Sequence, residues 1–513
     1  MKKYILSLIS SALLTVSLFS GIKIFAGSTQ TRYYYGDVNN DGIRNIVDLI
    51  LMKNELINPS KDYLTNRISD INKDSCFDII DFLMFYKYLL GITDELPDES
   101  FIIELDSISP FIPSSVSDAN ASTQSSGKAG ALIIYAEFND AQYTSDKLSE
   151  EELNEEYFGD GKTEFPFESV PAYLERSSYG NFTVYGDVFY CKLDRNLSEY
   201  SSEDRFEALI IDVLNELDSR IDLSDYDADS DGDIDIISVT VPLDNADEYQ
   251  KELWRGCSST WYYNPGFYMD NTQIIKYINN DVMPYYEDMF YSKQTFLHEL
   301  GHCMGLPDYY KYQSDDWEGL KGNAGFCRMD DSIGDFCSFS KLMLGWLKES
   351  EVNVFNCNNT SEKYVLKDAS RTGNCIILPV GDWDGSYTQE YFLVEYVTDS
   401  ENNFEVKEWN PSPFSTDMMS GIRDFHVNSE MYVDYWGRKD FKYNNYSDYY
   451  NGDDRQRVLR LVNDEKHGFY KTGDIISNLK AYDNEGYETV DTGYTIMIEG
   501  VSEEGFSIEI THR

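Results

Sequence analysis

One segment constrains this chain more than any other: His298-Glu299-Leu300-Gly301-His302-Cys303-Met304-Gly305-Leu306-Pro307-Asp308. Two histidines four residues apart fall on one face of a helix, so both imidazoles can reach one metal ion. Glu299 follows the first histidine and falls beside the ion's open position, where a carboxylate can take a proton from a water. Gly305 lets the helix end in a left-handed turn, and the chain can then swing Asp308 back as a third ligand. Two nitrogens and one oxygen around an ion with an exchangeable fourth position make the donor set of a hydrolytic zinc site. A core helix carrying H-E-x-x-H by accident is the competing reading. Gly305 and Asp308 at the fitting spacing weigh against it, and the only other histidines are His426, His467 and His512.

The pattern resembles that of the metzincin metallopeptidases, in a variant with aspartate in place of the usual third histidine. That resemblance implies a methionine turn beneath the ligands, and Gly325-Phe326-Cys327-Arg328-Met329-Asp330 matches it through Met329. Cys303 follows a ligand candidate but points off the ligand face, so it reads as a small core residue.

A run of Asp37-Val-Asn39-Asn-Asp41-Gly42-Ile-Arg-Asn45-Ile-Val-Asp48 places oxygen side chains at positions 1, 3, 5, 9 and 12 of a loop, with glycine at 6. Calcium takes six to eight oxygens, and this spacing wraps them around one ion. The arrangement recurs as Asp70, Asn72, Asp74, Asp78 and Asp81, with Ser75 replacing the glycine. Each loop runs into an apolar helical pattern, Leu49 to Leu56 and Phe82 to Leu90. This duplicated unit resembles a dockerin, over about 35–93. The resemblance implies bound Ca2+ and a cohesin module of a scaffoldin as partner. In dockerins, loop positions 10 and 11 contribute to partner choice, and here they are Ile46-Val47 and Ile79-Ile80.

The chain has 513 residues, more than one core accommodates, so two or three domains are expected. Asp and Glu number 91 against 42 Lys and Arg, a formal charge of -49, which argues against nucleic acid or anionic membrane partners. Lys2 and Lys3 ahead of an apolar stretch from Tyr4 to Phe19, with Ala26 near a cut, read as a signal peptide over 1–26. No later stretch is long and apolar enough to span a bilayer, so a secreted, cell-surface or cellulosome-associated protein without membrane insertion is expected. Eight cysteines without C-x-x-C spacing argue against a cysteine-built zinc site, and their pairing stays open.

Residues 94–130, rich in Ser, Pro and Asp, read as a linker. Beyond it, an apolar run from Ala131 to Asp140 and a helix ending at Ser178-Tyr179-Gly180 before a second strand resemble the opening of the immune inhibitor A family of secreted metallopeptidases. The acidic segment at Asp227, Asp229, Asp231 and Asp235, ahead of a strand from Ile234 to Val241, is similar to one in that family and offers oxygens at calcium-loop spacing. An uncoordinated acidic turn is the alternative. Ser338 to Leu347 has a helical pattern, whereas Glu390–Glu395, Gly421–His426, Ile496–Glu499 and Phe506–Ile510 alternate as strands do. His426 falls among these strands and reads as structural.

The expected fold class is multidomain: a small α-helical calcium-loop dockerin, an α+β metzincin-like catalytic domain with a mixed sheet over 131–350, and a C-terminal β-rich part over 351–513. The expected activity is that of a secreted zinc endopeptidase hydrolysing protein or peptide substrates, with Glu299 moving the proton. A cellulosomal carbohydrate-active enzyme and a non-catalytic scaffold-binding protein are the alternatives. Tyr309 and Tyr310 are close enough in sequence to consider as oxyanion stabilisers, although packing is the commoner use of tyrosine.

Overall fold

Strand β1 (Thr31–Tyr34) pairs antiparallel with β2 (Ser100–Ile103), closing the first of two compact units, Met1–Asp106 and Ser107–Arg513. The computed structural model describes residues 31–38, 44–57, 68–69, 71, 77, 79–92, 96, 100–103, 108–111, 123–201, 204–244, 246, 248–260, 267–310, 327–330, 334–358, 360–404, 420–433, 439–443, 457–462, 469–502 and 505–513. The leader expected at 1–26 lies outside them.

In the first unit, helices α1 (Ile46–Ile57) and α2 (Ile79–Leu89) each begin three residues before the predicted apolar pattern. Leu49 and Met52 of α1 and Phe85 of α2 bury together with Ile71 and Leu96. The tight turn at Gly36 has φ of 81°, and a Cβ there would sit 2.6 Å from the Phe85 ring. Strand β2 and the packed Ile108–Phe111 segment fall inside the stretch read as a linker.

The second unit is built on a five-stranded sheet ordered β4 (Phe182–Lys192), β3 (Gly127–Glu137), β5 (Ile236–Thr240), β9 (Lys276–Asn279) and β6 (Cys257–Thr260). Only β6 runs antiparallel to its neighbour. Strand β3 shows why the sequence there reads as continuously apolar: both of its faces are covered. Ala131, Ile133 and Tyr135 face α3 (Glu150–Phe158), α4 (Val170–Ser177) and, farther along, α6 (Met289–Cys303). Leu132, Ile134 and Ala136 face Leu209, Val213 and Leu217 of α5 (Arg205–Leu217). Ser149 and Glu152 form a reciprocal capping box at the start of α3, and Ser169 caps α4. Strands β7 (Phe267–Met269) and β8 (Thr272–Ile274) form a small hairpin.

After α7 (Ser338–Met343), a second five-stranded sheet follows, ordered β10 (Val352–Val354), β12 (Cys375–Pro379), β13 (Glu390–Val397), β14 (Gly421–Asn428) and β17 (Leu459–Leu461). A four-stranded sheet ordered β11 (Ser361–Leu366), β22 (Phe506–His512), β21 (Tyr494–Val501) and β18 (Ile475–Ser477) covers its far side. Hairpins β15–β16 (Met431–Val433 with Lys439–Phe441) and β19–β20 (Lys480–Tyr482 with Glu488–Asp491) complete the described strands. Strict alternation divides the central strands between two cores. Tyr391 and Leu393 of β13 join the core that holds α6 and α7, while Phe392 and Val394 face the outer sheet.

Candidate metal centre

Helix α6 reaches Cys303 and stops in a Schellman turn. The Leu306 amide donates to the Gly301 carbonyl and the Gly305 amide to that of His302, both at 2.9 Å, with Gly305 at φ of 97°. That reversal returns the chain so that Asp308 Oδ1 lies 3.1 Å from both His298 Nε2 and His302 Nε2. The ligand atoms of these three residues all lie within 4.8 Å of one another.

The imidazoles are oriented from behind. His298 Nδ1 lies 2.8 Å from the Arg328 carbonyl and His302 Nδ1 2.8 Å from that of Leu306. A carbonyl can only accept, so Nδ1 carries a hydrogen in both rings, and Nε2 is the nitrogen that faces Asp308 and is open to a metal ion once it carries no proton. The rings stand at 89° to each other. Two fixed nitrogens and one carboxylate oxygen with room between them fit a zinc ion.

Electrostatics divides the two acids. Burial opposes ionisation of Asp308, but His302 and His298 overcome it and hold its carboxyl far below the usual range. Glu299 is also buried, and there burial prevails and raises its pKa despite both histidines and a backbone hydrogen bond from Ser258. That bond ties Glu299 to β6, one of the two outer strands of the five-stranded sheet that begins with β4. Burial lowers His302, yet Asp308 dominates and lifts it to about 9 when no cation competes.

Met329 forms the floor. A Cβ on Gly301 would lie 2.3 Å from Met329 Sδ, so only glycine lets the sulfur sit under the helix between the histidines. The Tyr309 amide donates to the Met329 carbonyl at 2.9 Å. Tyr309 is fully buried with its hydroxyl 2.9 Å from Ser340 Oγ, which makes it a packing residue. Tyr310 stacks on His298, with centroids 6.1 Å apart. Of the predicted turn, Gly325 and Phe326 lie outside the described residues.

In the acidic segment, Asp227, Asp229 and Asp235 come together, and Asp231 does not join the three. Asp235 Oδ2 accepts from the Gly130 and Ala228 amides. Burial first, then neighbouring charge, raises Asp235 to about 6, and Asp233 rises equally. His426 is held between Glu488 and Glu390 at 2.8 Å each and stacked between Phe392 and Tyr482.

In the first unit, Asp48 Oδ1 accepts from the Val38 amide and Oδ2 from the Asn45 amide, both at 2.8 Å, and Asp37 and Asp81 are buried. Asn39, Asp41, Asp70, Asn72, Asp74 and Asp78 lie outside the described residues. Residues 35–98 match the dockerin type I domain. The dockerin accounts for the calcium loops and implies attachment through a cohesin to an extracellular cellulosome scaffold. No curated protein matches the chain. Among the described residues, no helix is long and apolar enough to cross a membrane. On the dockerin's surface, Ile46, Val47 and Ile50 of α1 and Ile79, Ile80 and Leu83 of α2 are exposed at equivalent places in the two repeats.

Spacing alone pointed to His298, His302 and Asp308 as residues that could meet, and the structure brings the three together. The sequence missed the carbonyls of Arg328 and Leu306, because a backbone acceptor leaves no mark on residue type. Gly301 could have been found: glycine inside a helix is costly and needs a packing reason.

Proposed function

We propose that the unit from Ser107 to Arg513 is a zinc endopeptidase that the dockerin delivers to a scaffold, with His298, His302 and Asp308 as ligands. The observation that carries this reading is the meeting of two oriented imidazole Nε2 atoms and Asp308 Oδ1 beside Glu299. Zinc bound there supplies a Lewis acid that polarises a peptide carbonyl and acidifies water. Glu299 takes a proton from the attacking water at its carboxylate and returns it to the leaving amine. Its raised pKa suits a group that must hold that proton between the two events.

Strand β6 supports a peptide substrate. An outermost strand offers backbone groups to which an extended chain can add, and Glu299 lies against this strand. A mixed sheet with one reversed edge strand, the H-E-x-x-H helix and Met329 beneath it support a metzincin-type fold, and the separate segment matches favour the immune inhibitor A family within it. A carbohydrate-active enzyme and a non-catalytic scaffold binder compete with this reading. Casein hydrolysis by the purified chain, lost on chelation and restored by zinc, is the expected result. Absence of proteolysis in zinc-loaded protein would reject it.

The second cluster, Asp227, Asp229 and Asp235, is read as a calcium site, supported by the convergence of three carboxylates. In a full-length chain with Asp37→Ala and Asp70→Ala, calcium should still raise the melting temperature, and adding Asp229→Ala should remove that rise.

A further inference from the structure

Two buried thiols lie at the base of the turn that carries Met329. Cys327 opens the turn, and Cys337 occupies the N-cap of α7. The Cys337 amide donates to Cys327 Sγ at 3.2 Å, and Ser340 Oγ lies 3.3 Å from Cys327 Sγ and 3.6 Å from Cys337 Sγ. Both sulfurs therefore lie against the same hydroxyl, Ser340 Oγ. Between them the backbone already closes on itself, since the Arg328 amide donates to the Asp335 carbonyl at 3.0 Å. Two other described cysteines face oxygen: Cys191 Sγ donates to the Val213 carbonyl at 3.7 Å, and Cys357 Sγ lies 3.1 Å from the Tyr494 hydroxyl.

We propose that Cys327 and Cys337 form a disulfide that locks the turn beneath the histidine helix. Outside the cell, where the dockerin places this chain, such bonds form and persist. The reaction is an exchange with a small-molecule disulfide. The two thiols lose two protons and two electrons, the reagent's S–S bond accepts them and breaks into two thiols, and one Sγ–Sγ bond remains in the chain. The bond closes a short loop, so it restricts the unfolded chain and holds Met329 against Gly301. This proposal concerns the sulfurs alone and stands whether or not zinc binds above them.

The full-length chain is unfolded in denaturant and refolded in a mixture of reduced and oxidised glutathione. Free thiols of the folded fraction are then alkylated, and the peptides are mapped by mass spectrometry. The expected result is one cross-linked species containing Cys327 and Cys337, separated by reduction and absent from Cys337→Ser. The linked form should melt about 3–5 °C above the same protein after reduction. Both cysteines alkylated in the folded fraction, either one joined to a different cysteine, or equal melting with and without the bond would overturn the proposal. If Cys337→Ser does not fold, mapping of the parent chain still decides.

Discussion

Glu299 and Asp308 are two buried carboxylates whose surroundings push their ionisation in opposite directions. Two histidines outweigh burial and hold Asp308 ionised, whereas burial prevails at Glu299 and raises its pKa, the division that the proposed mechanism needs between a ligand and a proton carrier. Glu299→Gln keeps size and helix propensity but removes the base. Zinc content should stay at parent level while peptide hydrolysis falls about 100-fold or more. Parental turnover by this variant would discard the assigned role. His426 makes a different test. Burial lowers its pKa, but Glu390 and Glu488 outweigh burial and raise it above the ordinary value of about 6.5. A raised folded pKa contributes stability that is complete below the ordinary value and is lost as pH rises through the shifted one. Arg460, which pairs with Glu488, and the Tyr482 ring also face this group. The melting temperature should therefore fall as pH is raised across that window, and His426→Gln should flatten the fall. An unchanged slope in the variant would assign it to other groups.

Among the elements, α6 was the most legible, since a histidine pair, a glycine stop and a returning aspartate each leave a signature in residue type. The stretch from 94 to 130 was the least legible. It was read as linker because short segments lack periodicity, yet β2 takes its partner from β1, far back in the chain, and β3 begins at Gly127, ahead of the apolar run. Pairing between remote segments cannot be seen in either segment alone. The acidic loop shows the same gap between spacing and geometry: four aspartates fit the pattern, and three meet. Helix α6 also supplies a packing test. Gly301→Ala drives a Cβ into Met329 Sδ, and overpacking of this kind costs about 1–3 kcal/mol. Reduced stability and weaker zinc retention are expected, with partial recovery in Gly301→Ala/Met329→Ala as the sulfur is withdrawn. If the double substitution is merely additive, the contact does not set the floor of the site.

At the level of the whole molecule, the dockerin and the proposed peptidase fall in separate compact units. The paired apolar triads at Ile46, Val47 and Ile50 and at Ile79, Ile80 and Leu83 call for a cohesin with an apolar face. Replacing Ile46, Val47, Ile79 and Ile80 by serine or threonine should weaken calcium-dependent binding to the native scaffold by at least about 10-fold, read by calorimetry, and leave proteolysis unchanged. Undiminished binding would place the recognition surface elsewhere on the dockerin. The partition at 350 expected from sequence has no counterpart in the packing, because Tyr391, Leu393, Phe425 and Leu459 share a core with Phe339 and Met343 of α7 and with Leu300 of α6. That continuity determines how such a chain can be recombined. An exchange of segments near Asp106 would give the unit from Ser107 to Arg513 a new address, whereas a splice near 350 would sever α6 from part of the wall it rests on.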